Sequence, residues 1–272
     1  MPNRRAFLLG GVALASATLL DGCGVGPDSL GLSHQGPTAS GSFASAAARR
    51  TVRWTLTAPR GHDLDGLPVV ITLHGRGGDH RTALHKLHLD RVVDAVVADG
   101  ATPFALATVD GGDHSYYHRR SDGSDAGAMI RTELLDELAG HGVDRDRVAL
   151  HGWSMGGYGA LLLAGRERTP VRAVAVSSPA LFAAASRTPP GAFDSAADYE
   201  RDDVYHHPEW LTGVPVRIDC GKADPFYSTS RDFASRLRPA PAGGFEPGGH
   251  DAAYWRRVAP AQLRFLAGHL AV

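Results

Sequence analysis

Residues 148–164 read VALHGWSMGGYGALLLA, and this stretch decides the fold. Val148 to His151 is a short apolar run of the kind a buried strand makes, and Met155 to Ala164 is a small-residue run of helical length. Between them stands Gly152-Trp153-Ser154-Met155-Gly156, a G-x-S-x-G at a predicted strand-to-helix turn. A nucleophile there must take up a strained backbone, and small flanking residues prevent clashes. Gly157 and Gly159 allow the following helix to pack closely, and its N-terminus turns free N–H groups and a positive dipole end toward Ser154. A chain with 33 glycines can produce a G-x-S-x-G by chance, so the plain alternative is a Gly-rich helix start capped by an ordinary serine.

Strands and helices alternate outward from that turn. Thr51–Thr57 alternates and reads as an edge strand, and Val69–Leu73, Phe104–Val109, Val171–Ser177 and Val216–Cys220 read as further strands. Helical spacing covers Leu89–Ala98, Ala126–Ala139 (Ile130, Leu134, Leu135 and Leu138 on one face), Ser230–Leu237 and about Arg257–His269. Buried-type strands alternating with helices predict an α/β fold, a mostly parallel central sheet with helices on both faces. The connection Ser178–Pro215 is the longest, too short for a second domain, and is expected to line a site and carry a short helix. No large lid is predicted.

At 272 residues, 43% apolar and 21% charged, the chain is sized for one globular domain. Its 28 basic and 29 acidic residues leave a formal charge of −1, so nothing in the overall charge draws it to nucleic acid. Only Lys86 and Lys222 are lysines, a bias that suggests GC-rich coding. The two cysteines, Cys23 and Cys220, cannot build a disulfide-dense scaffold or a four-cysteine zinc site. No apolar run reaches the ~20 residues of a spanning helix.

Arg4-Arg5 followed by an apolar stretch to Leu20 has the grammar of an export signal over residues 1–22, of the twin-arginine type. Leu20-Asp21-Gly22-Cys23 resembles a lipobox with Asp21 as an unusual member, so Cys23 is the expected lipidation site. The alternatives are an uncleaved anchor or cleavage elsewhere. Losing Arg4, Arg5 and Asp21 would move the formal charge from −1 to −2. Residues 23–50, rich in Gly, Ser, Ala and Pro, are expected to be a flexible tether, leaving 51–272 as the catalytic domain. The expected location is the outer face of a bacterial cytoplasmic membrane, by peripheral lipid anchoring, or otherwise secretion.

A serine hydroxyl needs a base, and a doubly wound hydrolase supplies it in the chain order Ser, acid, His. Among 14 histidines, His250 stands out: Gly248-Gly249-His250-Asp251 is a turn-rich loop before the last helix. Asp224, directly after the strand Val216–Cys220, is the first choice for the orienting acid, with Asp219, Asp251 and Glu246 as alternatives. The competing readings are a helix-capping Asp224 and a surface His250. Oxyanion donors are expected from the Met155 N–H and from the loop His74-Gly75-Arg76-Gly77-Gly78, with Arg76 chosen and Gly75 and Gly77 as neighbours that could take its place. The segment 110–118, DGGDHSYYH, suits a binding rim, so His114 and Tyr117 join His74, Trp153 and Trp255 as candidate substrate contacts. His74 is also suited to holding its loop, and both tryptophans could simply fill core. His80, His85, His88 and the pair His206-His207 lack a metal-ligand pattern such as H-E-x-x-H, and no phosphate-loop or dinucleotide motif is present. No metal and no cofactor is expected.

With HGRGG at 74–78, GWSMGG at 152–157, CGKADPF at 220–226 and GGHDAAYWRRVAPAQLRFL at 248–266, the chain resembles the α/β-hydrolase superfamily. Within it the likeness is to a serine esterase group that includes esterase D-like enzymes, feruloyl and acetyl-xylan-type esterases and actinobacterial mycolyltransferases, over about residues 51–270. The resemblance implies an α/β-hydrolase fold, Ser154 as nucleophile, His250 as base, Asp224 as orienter, and Met155 with Arg76 as oxyanion donors. GKADPF favours the esterase branch, whereas the SYYH segment looks like the rim of the mycolyltransferases. The resulting expectation is a serine carboxylesterase acting on a small-molecule, glycan or lipid ester. Acyl transfer to a cell-envelope sugar hydroxyl and a non-catalytic binding protein on the same fold are the alternatives.

Overall fold

The structure is a computed structural model that describes residues 34, 36–166 and 169–271. The export signal over 1–22, the lipidation site Cys23 and the first part of the tether lie outside the described residues. In chain order the elements are β1 (Thr38–Ser45), β2 (Arg50–Thr57), β3 (Pro68–Leu73), α1 (Thr82–His85), α2 (Leu89–Ala98), β4 (Ala105–Val109), α3 (Ala126–Met129) and α4 (Leu135–Ala139). Then follow β5 (Asp144–Trp153), α5 (Met155–Ala164), β6 (Val174–Ser177), α6 (Ala196–Arg201), β7 (Val216–Gly221), α7 (Tyr227–Arg236), β8 (Ala242–Glu246) and α8 (Ala252–Leu270).

The eight strands form one sheet in the order β1-β2-β4-β3-β5-β6-β7-β8. β3 to β8 pair in parallel, while β1–β2 and β2–β4 are antiparallel. Strand pleat sorts the core. Val69, Ile71 and Leu73 of β3 face a layer containing α3 to α5 and Phe233 of α7, while Val70 faces a second layer built from α2 and α8. Both faces of the sheet are therefore covered, and Pro68–Leu73 is buried throughout, as continuous apolar strands require.

Two expectations change. Residues 38–45 belong to an edge strand rather than the tether, and β2 is consequently an interior strand. The sequence TASGSFAS hides this because its side chains are small, and what holds it is main-chain pairing from Thr38↔Thr57 to Ser45↔Arg50. Gly41 is needed there, since a Cβ would lie 2.6 Å from the Trp54 ring. The turn after β1 is clamped by Glu133, which accepts from the Ala46 and Ala47 N–H groups and the Ser45 hydroxyl. β8 also has no sequence signal, as AGGFE is half exposed and rich in glycine. The helix predicted over Ala126–Ala139 contains a π-helical turn at Ile130–Leu134, yet its four apolar residues are buried together as the spacing predicts. No helix among the described residues is long and apolar enough to cross a membrane.

Candidate active site

The G-x-S-x-G stretch closes β5 and opens α5 in a turn that only glycine permits at two positions. A Cβ on Gly152 would lie 2.4 Å from the Gly156 carbonyl oxygen, and one on Gly156 would lie 2.0 Å from that of Leu73. Ser154 itself sits at φ 54°, ψ −121°, a region costly for a residue with a side chain. Three main-chain hydrogen bonds hold it there. The Ser154 N–H donates to Ser177 O, and Ser154 O accepts from the Tyr158 and Ala180 N–H groups, each at 3.0 Å. Met155, as first residue of α5, has no helical acceptor for its N–H.

The other two groups arrive from the loops after β7 and β8, two and three strands along the sheet from β5. Gly221 lets the loop at Gly248 press against β7, because a Cβ there would lie 2.3 Å from Gly248 O, and the Ala223 N–H bonds that same oxygen at 2.9 Å. Asp251 caps α8 by accepting from the Tyr254 N–H at 2.9 Å, which fixes the loop just before it. His250 thereby spans the gap: its Nδ1 lies 2.8 Å from Asp224 Oδ2 and its Nε2 lies 2.9 Å from Ser154 Oγ. The Asp224 side chain is fully buried, while that of His250 is 25% exposed, so solvent reaches the imidazole but not the carboxylate. Burial pushes the Asp224 carboxyl up, but the hydrogen bonds from His250, the Ser178 hydroxyl and the Phe226 N–H outweigh it and hold the group below the usual carboxylate range. The other acids are engaged elsewhere. Asp219 pairs with Arg217 and Gln262, Asp251 is the cap, and Glu246 is exposed.

Sequence reasoning missed Ser178. It is buried at φ 48°, directs its hydroxyl at Asp224 and accepts from the Trp255 indole N–H at 3.1 Å. Trp255 meets the His250 ring edge-on at 5.1 Å and Phe226 meets it at 5.4 Å, so the imidazole is held between two aromatic groups. The signal in the sequence was the Ser178-Pro179 pair directly after β6, which does not reveal a left-handed residue.

The loop after β3 abuts Ser154, since a Cβ on Gly75 would lie 3.3 Å from Ser154 Cβ. Two depressions meet at Ser154 and His250. One, about 570 Å³, is an apolar cleft walled by Tyr116, Leu181, Phe182 and Phe226. The other, about 340 Å³, is lined by the Gly75–Gly78 loop, Trp153 and Trp255. Arg76 borders both. The β6–β7 connection supplies one wall of the larger cleft, as its length suggests, and carries the short helix α6.

Three expected substrate contacts fall away from these depressions. His74 is 2% exposed: its Nδ1 bonds Gly75 O at 2.8 Å and its Nε2 accepts from the Gly111 N–H at 2.9 Å, stapling two loops together. Burial holds this imidazole below its ordinary range, against its hydrogen bond to Gly75 and the nearby Asp110. Tyr117 is fully buried and donates to His74 O at 3.1 Å. His114 is exposed and lines a separate cavity of about 530 Å³ on the other side of its loop. The residue of this segment that lines the larger cleft is Tyr116, one position from the one chosen. Trp153 is buried, with its indole against Gly75, and both tryptophans border the smaller depression.

Among the described residues one group could gather metal-ligand atoms: His118, Asp198 and Asp202. Its members are already engaged. The His118 ring nitrogens bond Arg119 O and Ala192 O, and Asp202 pairs with Arg201 and Arg166. This is a buried charge network that ties the β6–β7 connection to the segment after β4.

The family described as "Putative esterase" matches residues 45–266. The chain belongs to this esterase family. That makes ester chemistry, as an esterase or acyltransferase, its class. A ferulic acid esterase is similar in structure, with a TM-score of 0.75 and 22% identity over 88% of this chain and 100% of its own. An S-formylglutathione hydrolase from Staphylococcus aureus gives 0.69 and 19%, over 86% and 99%. MPT51 from Mycobacterium tuberculosis gives 0.69 and 15%, over 87% and 100%. At these identities the likeness is one of fold, and it is that of the α/β-hydrolases. No curated protein sequence matches the chain.

Proposed function

We propose that the protein is an exported serine carboxylesterase working through an acyl-enzyme on Ser154. The observation that carries this reading is the unbroken contact Ser154–His250–Asp224, with distances of 2.9 and 2.8 Å. Ser154 Oγ attacks the ester carbonyl while His250 Nε2 takes its proton, and Asp224 stabilises the imidazolium. The tetrahedral oxyanion is met by the Met155 N–H at the α5 terminus and the Arg76 N–H on the adjoining loop. His250 then protonates the departing alcohol. Water then gives a proton to His250 and attacks the acyl carbonyl, and collapse of that intermediate breaks the bond to Ser154 Oγ, which takes the proton back from His250 as the acid leaves. The strained Ser154 backbone supports this reading, because three main-chain bonds keep the hydroxyl aimed before substrate arrives. Hydrolysis of p-nitrophenyl butyrate tests it. Ser154→Ala should lower kcat by about four orders of magnitude or more with the far-UV spectrum unchanged, and retained activity would move the nucleophile elsewhere.

Acyl transfer uses the same residues, and the pair of depressions meeting at Ser154 favours keeping it as a second reading: one would hold the acyl chain, the other an acceptor alcohol. An added sugar acceptor would yield a new ester if transfer occurs and only acid if it does not.

Export and lipidation at Cys23 rest on the signal grammar of residues 1–23. β1 begins next to Thr57, at the sheet end opposite the Ser154 rim, so the tether joins the domain on the side away from the site. Cys23→Ala should release the protein from the membrane fraction, and unchanged fractionation would remove this part of the proposal.

A further inference from the structure

The depressions beside Ser154 carry charge of one sign. Arg76 and Arg187 line the apolar cleft, and Arg76 and Lys86 line the smaller depression. Among the described residues no carboxylate lines either one, and no hydrogen bond or ion pair reaches the Arg76 or Arg187 guanidinium or the Lys86 ammonium. The carboxylate of Asp224 is buried behind His250 and engaged by it. This differs from the chain as a whole, which is balanced at 28 basic and 29 acidic residues and pairs Arg81, Arg120, Arg147 and Arg217 with aspartates. Arg187 ends a short 3-10 turn, Ala185–Arg187, in the wall that also supplies Phe182. Arg76 and Arg187 are exposed at the rim above walls of Tyr116, Phe182 and Phe226, where the apolar walls concentrate a cation's field and added salt still screens it.

We infer that the substrate is an amphiphilic ester: an apolar body in the 570 Å³ cleft and, on the same part of the molecule, an anionic group taken by Arg187 and Arg76 at its rim. The guanidinium fork suits a carboxylate in two parallel hydrogen bonds. Neutral esters reach Ser154 with their apolar contacts alone, whereas anionic ones are also steered toward it. This rests on the esterase reading and narrows its substrate class.

Two matched pairs of esters test it. In the first, mono-p-nitrophenyl glutarate is compared with its methyl ester, which puts the charge on the acyl group. In the second, 4-acetoxybenzoate is compared with its methyl ester, which puts the charge on the leaving group. The readout is the ratio of kcat/KM, anionic over neutral, at ~20 mM and ~500 mM salt. At low salt at least one pair should give a ratio above one, and the responding pair tells which part of the substrate lies in the cleft. That ratio should fall about tenfold in Arg187→Glu, and toward one at high salt. Arg187→Gln should produce a smaller fall and serves if the reversal does not fold. Hydrolysis with both ratios at or below one, or a ratio unmoved in the Arg187 variants, overturns the inference and leaves the esterase reading standing. Turnover of none of the four esters, with no adduct from a fluorophosphonate, overturns that reading and the inference with it.

Discussion

Asp224 shows how a single residue's surroundings set its role. Its side chain is fully buried, yet donors from three directions keep it ionised. Asp224→Asn removes the charge and offers His250 Nδ1 a donor where an acceptor is required. It should lower kcat by about 10³ to 10⁴ with KM little changed, which steady-state kinetics on p-nitrophenyl butyrate would show; a loss under tenfold would argue that another acid orients the base. Ser154, His250 and Asp224 were legible because each stands in a short glycine- or proline-marked loop at a strand end, where chain order narrows the choice. Ser178 was not, because its importance comes from a left-handed backbone that the sequence does not advertise. Tyr117 was misread for a related reason, as was the substrate role given to His74, whose alternative reading as a residue that holds its loop is borne out. They lie in the correct loops, but their hydrogen bonds run inward to Gly75, Gly111 and one another, and a polar side chain looks the same in sequence whichever way it points.

Among the elements, the parallel strands and the helices between them follow from apolar period and length, whereas β1 and β8 have neither. Their residues pair by main chain at the sheet margins, a contribution that side-chain patterns do not record. β1 nevertheless matters for stability. It covers β2, shelters Trp54 and engages Glu133. A chain beginning at residue 51 should therefore melt lower than one beginning at residue 34 and self-associate through the bared edge of β2. Calorimetry and sedimentation would decide; equal melting temperatures would mean that β1 is dispensable. α8 is tied to the sheet by a buried polar chain. His151 Nε2 bonds Gln262 Oε1 at 3.0 Å, and Gln262 Nε2 donates to Asp219 at 2.9 Å. The same helix carries Trp255 and begins one residue after Asp251, so docking it also sets the position of His250.

For the whole molecule, that buried chain gives stability a pH dependence. Burial holds the His151 imidazole down to about 4, against its hydrogen bond to Gln262, while the unfolded chain titrates near 6.5. Between those values the unfolded state binds a proton that the folded state refuses. Stability is therefore full above about pH 6.5 and declines as pH falls toward 4, by about 3 kcal/mol from this group. The depressed Asp224 acts in the same sense at lower pH, since its contribution is lost as acid protonates the folded carboxylate. Urea midpoints across this range should slope less in His151→Gln than in the wild type, and parallel slopes would assign the effect elsewhere. The central claim is that three side chains distant in sequence converge as one nucleophilic unit, and a fluorophosphonate reads it directly. Intact-mass and peptide analysis should find one adduct per folded chain on Ser154, absent from Ser154→Ala and slowed in His250→Ala. A folded wild-type protein that takes up no label, or takes it up at another residue, would contradict the account.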